Sequence, residues 1–263
     1  MSKYVLVPDS FKGTMTSREI CEIMQHAIER IDSDAKIISV PVADGGEGSV
    51  DAFLSALGGK RKAITVTGPH FEKLSSSYGI MADGTAIIEM SACAGLPLVY
   101  GNKNPEITTT YGVGELICNA ARSGAKRIVI GLGGSATNDG GAGMVQALGA
   151  KLCDANGAEI GYGGGSLMSL NSIEISGLDP RLKTCSIRVA CDVTNPLTGD
   201  TAASRIFGPQ KGATEERILE LDRNLSHYAD IIKKSLRVDV KDVPGAGAAG
   251  GMGAAVMAFL GAE

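Results

Sequence analysis

The chain has 263 residues, 44% hydrophobic and 21% charged, with a net charge of −4. This is ordinary globular material with enough apolar side chain for a large core in one or two domains. No Lys/Arg block stands out, no apolar run reaches the roughly 18 residues of a membrane span, and the start lacks a signal-peptide layout, so nucleic-acid, membrane and secreted classes are set aside.

In chain order, "YVLVP" (4–8) predicts a short buried strand. "TSREICEIMQHAIERI" (16–31) predicts a helix capped by Thr16 or Ser17, with Ile20, Ile23, Met24, Ala27, Ile28 and Ile31 at helical spacing. A strand over 35–43 and a helix over 49–59 complete a β-α-β-α run, which implies parallel pairing with right-handed crossovers. "KAITVTGP" (62–69) is a candidate third strand. The alternation around Asp83-Gly84 predicts a tight hairpin. A helix over 110–124 and a strand over 126–133 follow, then "GLGGSATNDGGAGM" (131–144) and a helix continuing through "VQALGAKL" (145–152). Strands are expected over 171–178 and 185–193, a short helix near 201–208, and a long amphipathic helix over 214–236. That last helix buries Ile218, Leu221, Leu225, Tyr228, Ile232 and Leu236. A strand over 237–243, a glycine-rich loop over 244–253 and a small-residue helix over 254–263 end the sequence.

Glycine, at 36 residues, is about twice its usual share and clusters at strand-to-helix corners. Three corners stand out: 43–49, 131–143 and 244–253. Glycines there let the main chain curl around an anion, using the free N–H groups of a helix start. One such corner reads as a tight turn; three in one α/β chain point to phosphate. A GxxxxGK[ST] loop is absent. Gly245, Gly247 and Gly250 fit a dinucleotide spacing, but no acidic residue follows at the required distance. "GLGGSAT" is similar to the loop of Gly-Ser-type small-molecule kinases, with Gly134 in place of that loop's first serine.

Carboxylates sit at predicted strand ends: Asp9, Asp44, Glu47, Asp139 and Asp192. In open parallel sheets ligands bind at those ends, and such acids suit Mg²⁺ and a general base. Each equally suits a helix cap or an Asx-turn. Lys12 is the basic residue beside such an end; Arg205 and Lys211 are weaker candidates for clamping an anion. The three histidines (26, 70, 227) are scattered and no GxSxG elbow is present, so phosphoryl transfer is favoured over hydrolysis. The six cysteines carry no CxxC pair and read as reduced thiols of a cytoplasmic protein.

Taken together, "VPDSFKGTMTS", "PVADGGEGSVDAF", "TTTYGVGELI", "GLGGSATNDGGAGM", "CDVTNPLTG", "FGPQKGA" and "GAGAAGGMGAA" resemble the bacterial glycerate kinases over essentially the whole chain. The resemblance implies a Rossmann- or flavodoxin-like parallel-sheet domain (1–75, resumed at 244–263) and an inserted α/β domain with a mixed sheet (76–243). It also implies a further C-terminal segment with a "GEGR"-type motif, which this sequence lacks. The implied activity is phosphorylation of D-glycerate by ATP with Mg²⁺, at the 2-hydroxyl. The implied partner is thus a small-molecule acid, with no nucleic acid or membrane and with a homodimer as the candidate assembly. Asp44 or Asp192 is then the base and Lys12 a catalytic cation. Asp9, Ser10, Lys12, Glu47, Ser91 and Thr110 bind substrate. Gly133, Gly134, Ser135, Thr137, Asn138, Gly140 and Gly141 hold the nucleotide phosphates, and Asp139 and Asp192 the metal. Another small-molecule kinase of the Gly-Ser type and a non-catalytic nucleotide or anion sensor are the rival readings.

Overall fold

The computed structural model of the protein describes residues 2–11, 14–43 and 45–262. Strand β1 (Lys3–Leu6) pairs in parallel with β2 (Lys36–Ser39), with helix α1 (Ser17–Glu29) between them. Thr16 is the cap of α1: its hydroxyl accepts from the Glu19 N–H while the Glu19 carboxylate accepts from the Thr16 N–H. This reciprocal pair satisfies two N–H groups that a helix start leaves bare. Of the expected apolar stripe only Ile20 is buried, next to Cys21, which lies outside it; Ile23, Met24 and Ile31 are exposed. Among the described residues β1 and β2 form the only sheet beneath α1.

After α2 (Ser49–Leu57) comes a five-stranded mixed sheet in the order β3-β4-β5-β6-β9. Its strands are β3 (Gly59–Thr67), β4 (Lys73–Met81), β5 (Thr85–Glu89), β6 (Arg127–Gly131) and β9 (Ser186–Ala190). The segment expected as a third parallel strand is β3, and it pairs antiparallel with β4 instead. Its partner is supplied by the tight turn at 68–72, where the Gly68 N–H donates to the Glu72 carbonyl. The Asp83-Gly84 turn joins β4 to β5 as expected, with Gly84 at φ 80 and the Asp83 carboxylate accepting from the Thr85 N–H. Beyond β5, pairing turns parallel: β5 with β6, and β6 with β9.

Helix α3 (Ser91–Ala94) is a single turn after β5, and α4 (Tyr111–Arg122) packs on the sheet. α5 covers only Ala142–Ala147, not the longer span expected. The chain turns at Gly149 (φ 104), where a Cβ would collide with the Gly177 carbonyl, and continues as β7 (Lys151–Cys153). β7 pairs antiparallel with β8 (Ser172–Glu174) in a separate ribbon. α6 (Ala203–Phe207) precedes the long α7 (Glu215–Leu236), which buries Ile218, Leu221, Leu225, Tyr228 and Ile232 and half-buries Leu236, as its pattern predicts. The expected strand over 237–243 is absent. Arg237 ends α7 in a left-handed conformation, and the segment crosses the core irregularly, with Val240 buried and the Lys241 carbonyl accepting from the Leu197 N–H. α8 (Ala248–Leu260) carries a kink at 249–251, where φ is positive at three successive residues.

Candidate active site

Glu89, Gly131 and Ala190 stand on one rung of the parallel strands β5, β6 and β9. The chain leaving each strand therefore emerges side by side: Ser91 after β5, Gly133–Ser135 after β6, and Asp192 after β9. This is the edge where ligands of parallel sheets bind. The 45–50 corner docks onto it main chain to main chain. The Gly133 N–H donates to the Gly45 carbonyl at 3.3 Å. A Cβ on Gly133 would stand 2.7 Å from both the N and Cα of Gly46, and one on Gly131 would overlap the Gly45 carbonyl. The third corner meets the same loop from behind: the Gly140 N–H donates to the Gly250 carbonyl at 3.0 Å, and a Cβ on Gly250 would strike the Thr137 carbonyl. All three glycine corners thus converge, and the missing side chains are what lets them touch.

Convergence does not make three anion seats. The start of α2, capped by no side chain of its own, is occupied by the carboxylate of Glu89, which accepts from the N–H groups of Val50 and Gly48. Burial pushes the Glu89 carboxyl up, and the two amides pull it back. The third corner is interior packing, with residues 246–256 buried. What remains open is the lip of the middle loop, where Gly134 is exposed.

That loop is organised by its carbonyls. Gly134 O accepts from the Leu96 N–H (2.9 Å), Ala136 O from Thr108 Oγ1 (2.9 Å) and Thr137 O from Lys211 Nζ (2.6 Å). In a planar trans peptide the following N–H points the opposite way. The N–H groups of Gly134, Ser135, Thr137 and Asn138 make no hydrogen bond among the described residues. Buried main-chain N–H groups are nearly always paired, so a run of bare ones is the signature of an anion nest. Ser91 adds a hydroxyl without a partner among the described residues, its Cβ 3.4 Å from where a Cβ on Gly134 would stand.

Two adjoining cavities open beside this edge, sharing Pro41, Val42 and Ala52. One, of about 470 Å³, is bounded by Gly45, Ser49, Gly131, Ala190 and Asp192. The other, of about 480 Å³, is bounded by Ser10, Thr14, Arg18, Glu47 and Asp51. Asp192 is exposed at the first, Glu47 at the second, and Ser10 presents a hydroxyl without a partner among the described residues. Asp9 turns a carboxylate oxygen back onto the Ser10 N–H (2.7 Å), the local turn contact that its position also allows. Lys12 and Asp44 lie outside the described residues.

Several expected site residues belong to the interior instead. Asp139 is fully buried and its carboxylate accepts from the Thr110 N–H and hydroxyl and from the N–H groups of Gly141 and Gly143. Burial pushes its pKa up and these donors pull it back; three of the four donors fall on Oδ2 and one on Oδ1, which ties the carboxylate to the fold. Thr110, expected at the substrate, spends its hydroxyl on Asp139 and on the Met144 N–H. Gly140 and Gly141 are packing positions, where a Cβ would meet the Tyr228 ring and Ala255. The Asn138 side chain donates to Ser204 Oγ within the core. Arg205 is paired with Glu215 at the surface, and Lys211 is buried against the loop. Among the described residues no three His, Cys, Asp or Glu side chains gather to hold a metal.

Sequence reasoning missed Glu89 and Thr108. Glu89 closes the apolar run "TAII", the same strand-end position as the acids that were singled out, but the segment reads as the return arm of a hairpin. Thr108 is one of three consecutive threonines and carries no signal of its own.

The fold and the site define an α/β protein that gathers glycine-rich corners around an anion-binding edge. The sequence profile of the glycerate kinase family matches residues 4–263, and the chain belongs to that family. It is 65% identical over 263 residues to glycerate 2-kinase of Escherichia coli K12, covering 99% of this chain and 69% of that protein. It is 50% identical over 263 residues to glycerate kinase of Bacillus subtilis 168, again over 99% and 69%. A crystal structure of glycerate kinase 2 from Salmonella typhimurium LT2 superposes with a TM-score of 0.89 at 51% identity, covering all of this chain and 71% of that one.

Proposed function

We propose that this chain transfers the γ-phosphoryl group of ATP to the 2-hydroxyl of D-glycerate. The observation that carries the reading is the run of main-chain N–H groups at 134, 135, 137 and 138 that stay bare among the described residues, exposed at Gly134, on the same sheet edge as an exposed Asp192. The nucleotide's phosphates lie along the lip Gly133–Ser135, with Ser91 Oγ as a further donor. The acid lies in the cavities beneath the 45–50 corner, near Ser10 and Glu47. The glycerate oxygen attacks the γ-phosphorus, its bond to the β-phosphate oxygen breaks, ADP departs, and the hydroxyl proton passes to a carboxylate. Asp192 is the described carboxylate placed for that role, and Asp44 shares the candidacy. Most of the acceleration comes from positioning and charge neutralisation, as is general for this chemistry.

Mg²⁺, when bound, neutralises phosphate charge. It needs only one or two carboxylates besides phosphate oxygens, and the exposed Asp192 fits, whereas Asp139 is buried and held by donors of the fold. Six unpaired cysteines accord with residence in the reducing cytoplasm.

The test is a coupled assay of ADP release with D-glycerate, with the product identified by phosphorus NMR. Acceptor-dependent ADP release with 2-phosphoglycerate as product is expected. ADP release no faster with D-glycerate than without it would refute the proposal.

A further inference from the structure

Lys211 is 1% exposed, an unusual place for an ammonium group. It ends a short 3₁₀ turn, Pro209–Lys211, and Gly212 (φ 92) then carries the chain away. Its Nζ donates to the Thr137 carbonyl at 2.6 Å. Burying a charge is costly unless it is tied down, and the proposed reaction makes no direct use of this one. Burial pushes its pKa down to about 7, and Asp139 pulls it back up. The carbonyl it grips belongs to a stretch whose N–H groups stay bare among the described residues, and the preceding carbonyl, Ala136 O, is gripped in the same manner by Thr108 Oγ1. A peptide plane held at its oxygen is held at its N–H as well.

We infer that Lys211 is a positioning residue of the phosphate loop: by fixing the Thr137 carbonyl it holds the Thr137–Asn138 peptide in one orientation and, through it, the lip at Gly134–Ser135. Lys211 touches neither substrate nor nucleotide; it acts through the peptide plane. The inference rests on reading residues 133–139 as the phosphate-binding loop.

Lys211→Met tests it, because a flexible apolar side chain replaces the ammonium group and removing a buried charge is often neutral or stabilising. Function and stability should therefore separate. The urea midpoint stays level or rises, the Kd for Mg·AMP-PNP rises about tenfold, and kcat with D-glycerate falls tenfold or more. KM for D-glycerate stays within twofold, and Lys211→Arg recovers part of the loss. A Lys211→Met protein that binds Mg·AMP-PNP and turns over within threefold of the parent overturns the inference. If that variant does not fold, Lys211→Gln, a shorter uncharged donor, is judged by the same thresholds. Amide hydrogen exchange separates the two levels. Loop amides of the parent left unprotected by Mg·AMP-PNP sink the phosphate-loop reading itself. Amides protected equally in parent and variant sink only the role of Lys211.

Discussion

Gly133→Ala isolates the contact on which the site depends. Gly133 does not adopt a left-handed conformation, so alanine introduces no backbone strain; the cost is steric. The new Cβ would stand 2.7 Å from the N and Cα of Gly46. Non-bonded atoms rest about 3.5 Å apart, so one main chain must retreat by roughly 1 Å. No side chain on either segment can swing aside, because both are glycine. The retreat breaks the hydrogen bond from Gly133 N–H to Gly45 O. Overpacking typically costs about 1–3 kcal/mol and a hydrogen bond about 1 kcal/mol, so a loss of about 2–3 kcal/mol in stability is expected. The displaced corner carries Glu47, and a shift on the order of 1 Å can lower turnover about 100-fold. Urea unfolding and the coupled ADP assay measure the two effects. Gly134→Ala is the control: it meets only Ser91 Cβ at 3.4 Å but sits at φ 74, so it costs about 1 kcal/mol of backbone strain without moving the corner. A Gly133→Ala protein with unchanged urea midpoint and kcat/KM within threefold of the parent would refute the picture of a corner held by main-chain contact.

Asp192→Asn should lower kcat by about 100-fold or more, since a positioned acid–base group typically contributes that much; turnover within a few-fold of the parent removes Asp192 from the reaction. Glu89→Ala leaves the Val50 and Gly48 N–H groups without their acceptor, which should cost about 2 kcal/mol and speed hydrogen exchange across 48–54; unchanged exchange there contradicts the capping role. The buried Lys211 has a pH signature. Its pKa is about 7 in the folded protein against an ordinary 10.5. Between those values the unfolded chain holds a proton that the folded chain does not, so stability rises with pH across that window. The slope is about 1.4 kcal/mol per pH unit. From pH 7.5 to 9 the parent should therefore gain about 2 kcal/mol over Lys211→Met in urea unfolding, and parallel curves for the two proteins would contradict it.

Local signals proved readable where a few neighbouring residues decide the outcome. Thr16 with Glu19 marks a helix start through one reciprocal hydrogen-bond pair, Asp83-Gly84 marks a hairpin through one positive φ, and the stripe of α7 marks its buried face through spacing alone. Distant partners decide the rest. β3 carries an ordinary strand pattern, but which strand it joins is set by the turn at 68–72. α5 stops early because Gly149 must lie against Gly177, 28 positions further on. The 237–243 segment alternates like a strand but finds no ladder. Within the site, the meeting of the three glycine corners is anticipated by composition. Their unequal use is not, because it depends on Glu89 reaching α2 and on Asp139 turning inward to Thr110. The role of Lys211 is equally hidden, since a lysine after "GPQ" reads as a weak candidate for an anion clamp until the fold closes over it.

Val5 in β1 is 56% exposed and Val7, just after that strand, 54% exposed. The parallel pair β1–β2 nevertheless supplies Ser10 and, through the chain that follows it, Glu47, both on the wall of the larger cavity. Load and selectivity are therefore carried by different parts of the chain. Substitutions beside Ser10 and Glu47 should retune which acid is accepted, whereas the 45–50 corner and the layer of α4, α5 and α8 beneath the loop leave evolution far less latitude.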